Sequence, residues 1–135
     1  MLQKKCVRLM TFSDFNSASN KCFKSLGLLK LSDLIKFNNV ILTHRILNKN
    51  CPSQITNTLS LSFLNHDYET RGRKINLLSK PNFRTYTYGK FSVTYQAITQ
   101  WNELQTHFRH LNLSILKPNK IKSEFQKFLL SHYDT

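Results

Sequence analysis

The sequence predicts a mainly α fold of four to six helices with a small β-hairpin insertion around residues 75–88. Apolar side chains recur at helical spacing over most of the chain, and one stretch loses that spacing. Glycine and proline contribute only 3 residues each to a chain of 135, too few for a collagen-like, linker-like or many-turned β architecture. This length is typical of one domain, and 40% apolar residues can supply its core. We therefore expect one domain in all.

The first part of that domain, residues 1–59, is predicted to be helical. A stripe of apolar side chains along one face predicts a helix over residues 2–12. A second helix, over residues 19–26, should stop at Gly27, a residue that readily adopts the left-handed conformation of a C-cap. The longest helix is expected over residues 33–48, capped by the residue before it, Ser32. Its apolar side chains cover more than half of the circumference, so we expect it to be packed on two sides.

The helical pattern weakens in the middle of the chain. Pro52 can open a helix but not continue one, so a short helix through Leu59 is expected after it. Residues 60–91 form a basic, aromatic-rich segment without the helical period. Within it, residues 75–78 and 85–88 have the composition and spacing of two short strands, which predicts the hairpin.

Residues 92–135 are predicted to form two C-terminal helices. Ser92 is placed to cap a helix that runs to about Leu111, with a narrow apolar seam suited to one partner helix. Pro118 interrupts the pattern, and a last helix is expected over residues 120–133, with apolar side chains on one face and lysines around the rest.

The chain is strongly basic. It has 20 Lys+Arg and 7 Asp+Glu, a formal net charge of +13. Such a surplus favours an anionic partner, which could be a nucleic acid, an anionic membrane or an acidic protein. No acidic residue occurs between Glu69 and Glu103, and in that interval basic and aromatic residues are interleaved: Arg71, Arg73, Lys74, Lys80, Phe83, Arg84, Tyr86, Tyr88, Lys90, Phe91 and Tyr95.

Cations beside aromatic rings suit a single-stranded nucleic acid, because the cations neutralise phosphates and the rings stack on unpaired bases of any sequence. We therefore predict that RNA or DNA is bound, largely through its phosphate backbone. The alternative is that the aromatic side chains turn into the core while the cations only solvate the outer face. The predicted binding residues are Arg71, Arg73, Lys74, Arg84 and Lys90 for phosphates, and Tyr86 and Tyr88 for stacking.

The sequence predicts no catalytic residue, no cofactor, no metal site and no small-molecule substrate. The 7 carboxylates are thinly spread, and neither a Gly-rich phosphate loop nor a Gly-x-Ser-x-Gly turn occurs. His107 and His110 have a spacing that can ligate zinc, but no acidic or cysteine ligand accompanies them in sequence.

We also predict an intracellular protein, nuclear or cytoplasmic and not secreted. The 3 cysteines are odd in number, and the first residues lack the uninterrupted apolar run of a signal peptide. No stretch approaches the roughly 18 apolar residues that a transmembrane segment requires.

Several segments, in order, resemble the region that follows the polymerase core in jockey-like non-LTR (LINE-type) retrotransposon reverse transcriptases. Residues 2–11 are similar to a Leu-Gln helix, and residues 26–34 to a Leu-x-Ile-Leu-x-Leu segment before a long helix. Residues 69–72 are similar to a Thr-Arg-polar motif, residues 101–104 to Trp-Asn-x-Leu-Pro, and residues 123–129 to a terminal Ser-x-x-x-Phe-Lys-x-x-Leu helix.

The resemblance implies a non-catalytic, nucleic-acid-binding C-terminal piece of a transposable-element protein, in which residues 1–59 correspond to the part after the thumb. The palm aspartates and the endonuclease of that family are not in this sequence, so no enzymatic activity is implied. The rest of a reverse transcriptase is then an expected partner. The alternative is a packing module or a degenerate fragment without independent activity. The motif residues to which the resemblance gives a structural role are Trp101, Asn102, Leu104, Phe125 and Leu129.

Two positions depart from the family pattern. Gln105 stands where the family usually has proline, and Gln126 where it has lysine. Without the proline, we expect the helix that contains Gln105 to continue to Leu111.

Overall fold

The computed structural model describes residues 2–59, 61, 63 and 76–134, and the mainly α class is confirmed in them. None of the helices in the described residues is both long enough and apolar enough to cross a membrane. The helices of the described residues are α1 (Leu2–Met10), α2 (Ser19–Ser25), α3 (Leu31–Leu47), α4 (Ser53–Leu59), α5 (Tyr86–Lys90), α6 (Val93–His107) and α7 (Pro118–Ser131), followed by a 3-10 helix (His132–Asp134).

The predicted hairpin around residues 75–88 is not present in the described part of the chain. Residue 75 lies outside the described residues, and residues 85–88 run into α5, the one helix that the sequence did not predict. An isolated antiparallel bridge joins Phe63 and Leu78. Asn102 of α6 supplies the hydrogen bonds that a second strand would have made: the Leu78 N–H donates to its Oδ1 (2.8 Å), and its Nδ2 donates to the Leu78 carbonyl (2.9 Å).

The main core lies where α3, α6 and α7 meet. Helix α3 packs against both of the other helices, in keeping with its broad apolar surface. Trp101 of α6 is fully buried and stacks on the ring of His44 from α3, with ring centroids 6.4 Å apart. Burial lowers the pKa of His44 below its usual value, which favours the neutral ring. The buried cluster consists of Val40, Ile41, Leu78, Ile98, Trp101, Leu104, Leu113, Ile121, Phe125 and Leu129.

A second, smaller core joins the N-terminal helices to the C-terminal end of the described chain. Val7 of α1, Cys22 and Phe23 of α2 and Tyr133 are buried together. The Tyr133 hydroxyl accepts a hydrogen bond from the Lys30 N–H (2.9 Å) and donates one to Asp33 Oδ2 (2.5 Å). Tyr133 therefore ties α1 and α2 to the start of α3.

The start of α3 differs from the prediction. The helix begins at Leu31, so Ser32 lies inside the first turn, and the N-cap residue, Lys30, makes no side-chain cap bond. Side chains distant in sequence satisfy the backbone there instead. Gln3 accepts from the Leu31 N–H (3.1 Å) and donates to the Leu29 carbonyl (3.2 Å), alongside the Tyr133 hydroxyl at Lys30. The local sequence pattern therefore predicts the wrong N-cap, Ser32, because the residues that cap this helix come from distant parts of the chain.

Gln105 and Gln126, the two residues that differ from the motifs that the sequence resembles, both make specific hydrogen bonds. Helix α6 ends at His107, so its predicted continuation to Leu111 is wrong. Gln105 is buried and holds the turn that follows: its Nε2 donates to the Leu111 carbonyl (2.7 Å), and its Oε1 accepts from the Leu113 N–H (3.3 Å). Gln126 of α7 donates to the carbonyl of Gly27 (3.1 Å) and so attaches α7 to the loop before α3.

Candidate nucleic-acid interface

The structure brings part of the predicted binding set to one end of α6. Arg84 precedes α5, and α5 itself carries the two tyrosines and the lysine of that set. The predicted structural residues on α6 and α7 lie in the core, apart from Asn102, which is partly buried and holds Leu78. Three predicted phosphate ligands, Arg71, Arg73 and Lys74, lie outside the described residues.

Helix α5 owes its position to Gly89 and Ser92. Gly89 is buried beneath the Phe83 side chain, and a Cβ at position 89 would lie 2.0 Å from Phe83 Cγ. The Ser92 hydroxyl donates to the Gly89 carbonyl (2.8 Å) and accepts from the Tyr95 N–H (3.3 Å), so it also caps α6. Phe83 meets the ring of Tyr95 edge to face, with centroids 5.4 Å apart. This packing holds α5 against the start of α6.

The aromatic side chains between residues 83 and 95 are of two kinds: some support the packing of α5, and others are exposed. Tyr95 is half-buried and Phe83 is only 41% exposed. Tyr86, Tyr88 and Phe91 are 75%, 84% and 71% exposed, so the alternative in which the aromatic side chains turn into the core does not describe them. Their rings are open to a ligand.

Lysine side chains lie over two of the aromatic rings in this region, those of Tyr86 and Tyr95. Lys90 Nζ donates to the Tyr86 hydroxyl (2.5 Å) and lies 4.7 Å from the centroid of its ring. This hydrogen bond raises the pKa of Lys90, so its positive charge persists above the usual range. Lys80 Nζ lies 5.7 Å from the ring centroid of Tyr95. The two lysines present positive charge beside aromatic faces, as the sequence pattern suggested.

Three neighbouring concavities along one side of α6 share lining residues, and we call them together the α6 furrow. The first, about 340 Å³, lies beside α5 and shares Lys90 and Tyr95 with the second, of about 260 Å³. The second shares Lys36, Gln100 and Glu103 with the third, of about 210 Å³, at the junction of α3, α6 and α7. The furrow therefore leads from the aromatic, basic end of α6 to the centre of the helical bundle.

The furrow includes residues that the sequence did not predict and leaves out one of the predicted residues that the structure describes. Arg84, Tyr86 and Lys90 line it, together with Phe91. Tyr88 lines none of its three parts, since it lies two residues from Tyr86 and so on another side of α5. Lys36, Gln100 and Glu103 were not foreseen. The one available signal was the spacing of Gln96, Gln100 and Glu103 on one face of α6.

Chemically, this surface offers exposed rings for stacking and cations for phosphates. The described residues contain no group of three or more His, Cys, Asp or Glu side chains that could hold a metal ion. No family model, no curated protein and no solved structure matches the chain. What the furrow binds is therefore inferred from its own residues.

Proposed function

We propose that the protein is a non-catalytic nucleic-acid-binding domain that contacts template RNA or target DNA through the α6 furrow. The observation that carries this proposal is the exposure of Tyr86 and Phe91 beside Arg84 and Lys90. Single exposed apolar residues are ordinary, but aromatic rings gathered in a groove with cations suit unpaired bases and their phosphates. The net charge of +13 supports the same class of partner.

The proposal includes the origin suggested by the sequence motifs. The chain would be a C-terminal piece of a jockey-like non-LTR retrotransposon reverse transcriptase that acts inside the cell, in the nucleus or cytoplasm. Trp101 and Asn102 support this assignment only as structural residues, because Trp101 builds the core and Asn102 fixes Leu78. A polymerase or nuclease activity is not part of the proposal.

Binding should depend strongly on salt and on the exposed rings. If about five phosphates are neutralised, the logarithm of affinity should fall against the logarithm of salt concentration with a slope of about −3.5 for single strands. Replacing Tyr86 and Phe91 together by alanine should weaken binding by roughly 30-fold or more, since each of the two stacked bases contributes about 1–3 kcal/mol. Fluorescence anisotropy with labelled single-stranded RNA and DNA of mixed sequence measures both quantities.

A matched control exists outside the furrow. Phe12 and Phe15 are also exposed, 97% and 71%, and lie between α1 and α2, outside the α6 furrow. The Phe12→Ala/Phe15→Ala variant should keep the affinity of the unmodified protein. A flat salt response, or equal losses in the two double variants, would contradict the proposed function.

A second candidate function is supported by the N-terminal surface. Leu2 and Leu9 of α1 are exposed, as are the two phenylalanines that follow that helix. Exposed apolar side chains gathered in this way mark surfaces that contact another protein. On this interpretation the chain is a packing module of a larger reverse transcriptase, or a degenerate fragment of one. A thermal melt followed by circular dichroism separates the cases: a cooperative transition supports an autonomous domain, and a gradual loss supports a fragment.

A further inference from the structure

The third part of the α6 furrow is a pocket with an apolar floor and a polar rim. Buried Leu104, Phe125 and Leu129 form the floor, and Phe128 lies beside them with its ring stacked on that of Phe125, centroids 6.1 Å apart. A cavity of about 150 Å³ in an apolar core holds a benzene ring, so about 210 Å³ is room for one planar ring system.

Within the described part of the chain, the rim of this pocket offers one carboxylate that has no hydrogen-bond or ion-pair partner. Asp33 is already engaged, because it accepts from the Tyr133 hydroxyl and lies 3.8 Å from Lys36 Nζ. Glu103 also lines the pocket, and within the described ranges it makes no hydrogen bond or ion pair. Glu103 is exposed, so its carboxylate is open to a ligand group that donates N–H bonds, whereas it repels phosphates.

The position of the pocket connects it with the path that we propose for a bound nucleic-acid strand. From Tyr95, where the aromatic end of the furrow begins, to Leu104 on the pocket floor is about 13 Å along α6 at 1.5 Å per residue. Lys36 lies between these points, lining both the second and third cavities. A strand whose backbone follows the lysines can therefore place one base in the pocket.

We propose that this pocket receives one unpaired base of a single strand bound in the α6 furrow, and that Glu103 favours guanine over uracil and thymine. This inference rests on the proposed function and adds base preference to it. The Watson–Crick edge of guanine presents a ring N–H and an amino group side by side, which match the two oxygens of a carboxylate. Uracil and thymine present one N–H between two carbonyls, whose oxygens repel the carboxylate. A cationic side chain is the competing ligand, and the net charge of +13 disfavours it.

The test compares single-stranded RNAs that are all uridine or have guanosine at one internal position, by fluorescence anisotropy. The unmodified protein should bind the best-placed guanosine strand on the order of 10-fold more tightly than the all-uridine strand, the discrimination of a bidentate base contact. Glu103→Gln should reduce that ratio to near one, while affinity for the all-uridine strand stays the same or rises because a charge that repels phosphates is removed. Glu124→Gln is the matched control, because Glu124 pairs with Lys127 on α7 and does not line the furrow. It removes the same charge and should preserve the ratio.

The outcomes separate this inference from the proposed function. If no strand binds in a salt-dependent manner, the proposed function itself fails. If strands bind but the ratio is near one, or Glu103→Gln retains it, the base-selective pocket is wrong and the function stands. Binding of an oligoarginine peptide that is lost in Glu103→Gln would assign the pocket to a cationic side chain and overturn the inference.

Discussion

Because Gly89 has no side chain, α5 can pack closely against the rest of the molecule. Gly89 is covered by Phe83, whose ring in turn contacts Tyr95 on α6. A methyl group there would sit 2.0 Å from Phe83 Cγ, close to the base of that side chain, so the whole ring must swing away. The glycine is thus required by close approach, and the same approach shapes the first part of the α6 furrow.

Gly89→Ala should therefore lower the free energy of unfolding. Overpacking costs about 1–3 kcal/mol, and the better helix propensity of alanine returns about 1 kcal/mol, which leaves a net loss of up to about 2 kcal/mol. Urea denaturation measures it. Thr87→Ala is the control, since Thr87 is exposed on the same helix and should show little change. Equal stability of the two variants would show that Phe83 yields without loss.

At the scale of elements, the helices were predictable because apolar spacing along the chain is a local signal. Their ends were less predictable, since the start of α3 depends on Gln3 and Tyr133, and the end of α6 on Gln105. The alternation of Thr and Tyr predicted a strand at residues 85–88, and this prediction was wrong. Whether such a segment forms a strand depends on its packing partners more than on the intrinsic preference of its residues. Helix packing alone brings Lys36 of α3 to the furrow, so no sequence spacing could show it.

The side chain of Asn102 replaces a missing strand, and its removal should be costly. Asn102→Ala leaves the N–H and carbonyl of buried Leu78 without these partners, a loss of about 1–3 kcal/mol in the free energy of unfolding. The segment before α5 should loosen, so affinity for single strands should fall as well. Denaturation and anisotropy report the two effects, and Asn38→Ala, at an exposed position of α3, is the control. Unchanged stability in Asn102→Ala would show that the hydrogen bonds to Leu78 contribute nothing.

At the scale of the whole molecule, Tyr133 joins helices that are far apart in sequence. Its ring meets Phe23 of α2 edge to face, and Lys30 Nζ lies 4.4 Å from its centroid. Burial, followed by the hydrogen bond to Asp33, raises the pKa of Tyr133 from 10.0 to about 12. The neutral phenol is therefore the form that the folded protein stabilises, and one titration reports on the attachment of α1 and α2.

The sign of the pH dependence follows from that pKa. The unfolded chain loses the Tyr133 proton near pH 10 and the folded chain near pH 12, so the folded state binds the proton more tightly. The stabilisation is complete below pH 10 and disappears as the pH rises towards 12. Tyr133→Phe should reduce the free energy of unfolding by about 1–2 kcal/mol at neutral pH, because the Lys30 N–H and Asp33 lose their partner.

Denaturation of the two proteins from pH 7 to 12 tests this, because Tyr133→Phe carries the same lysines and so the same background titration. The difference in free energy should be constant up to about pH 10 and shrink above it. A difference that stays constant to pH 12 would show that Tyr133 is not protonated preferentially in the folded state. A shrinking difference would mean that alkaline pH weakens the contact that holds the N-terminal helices to α3.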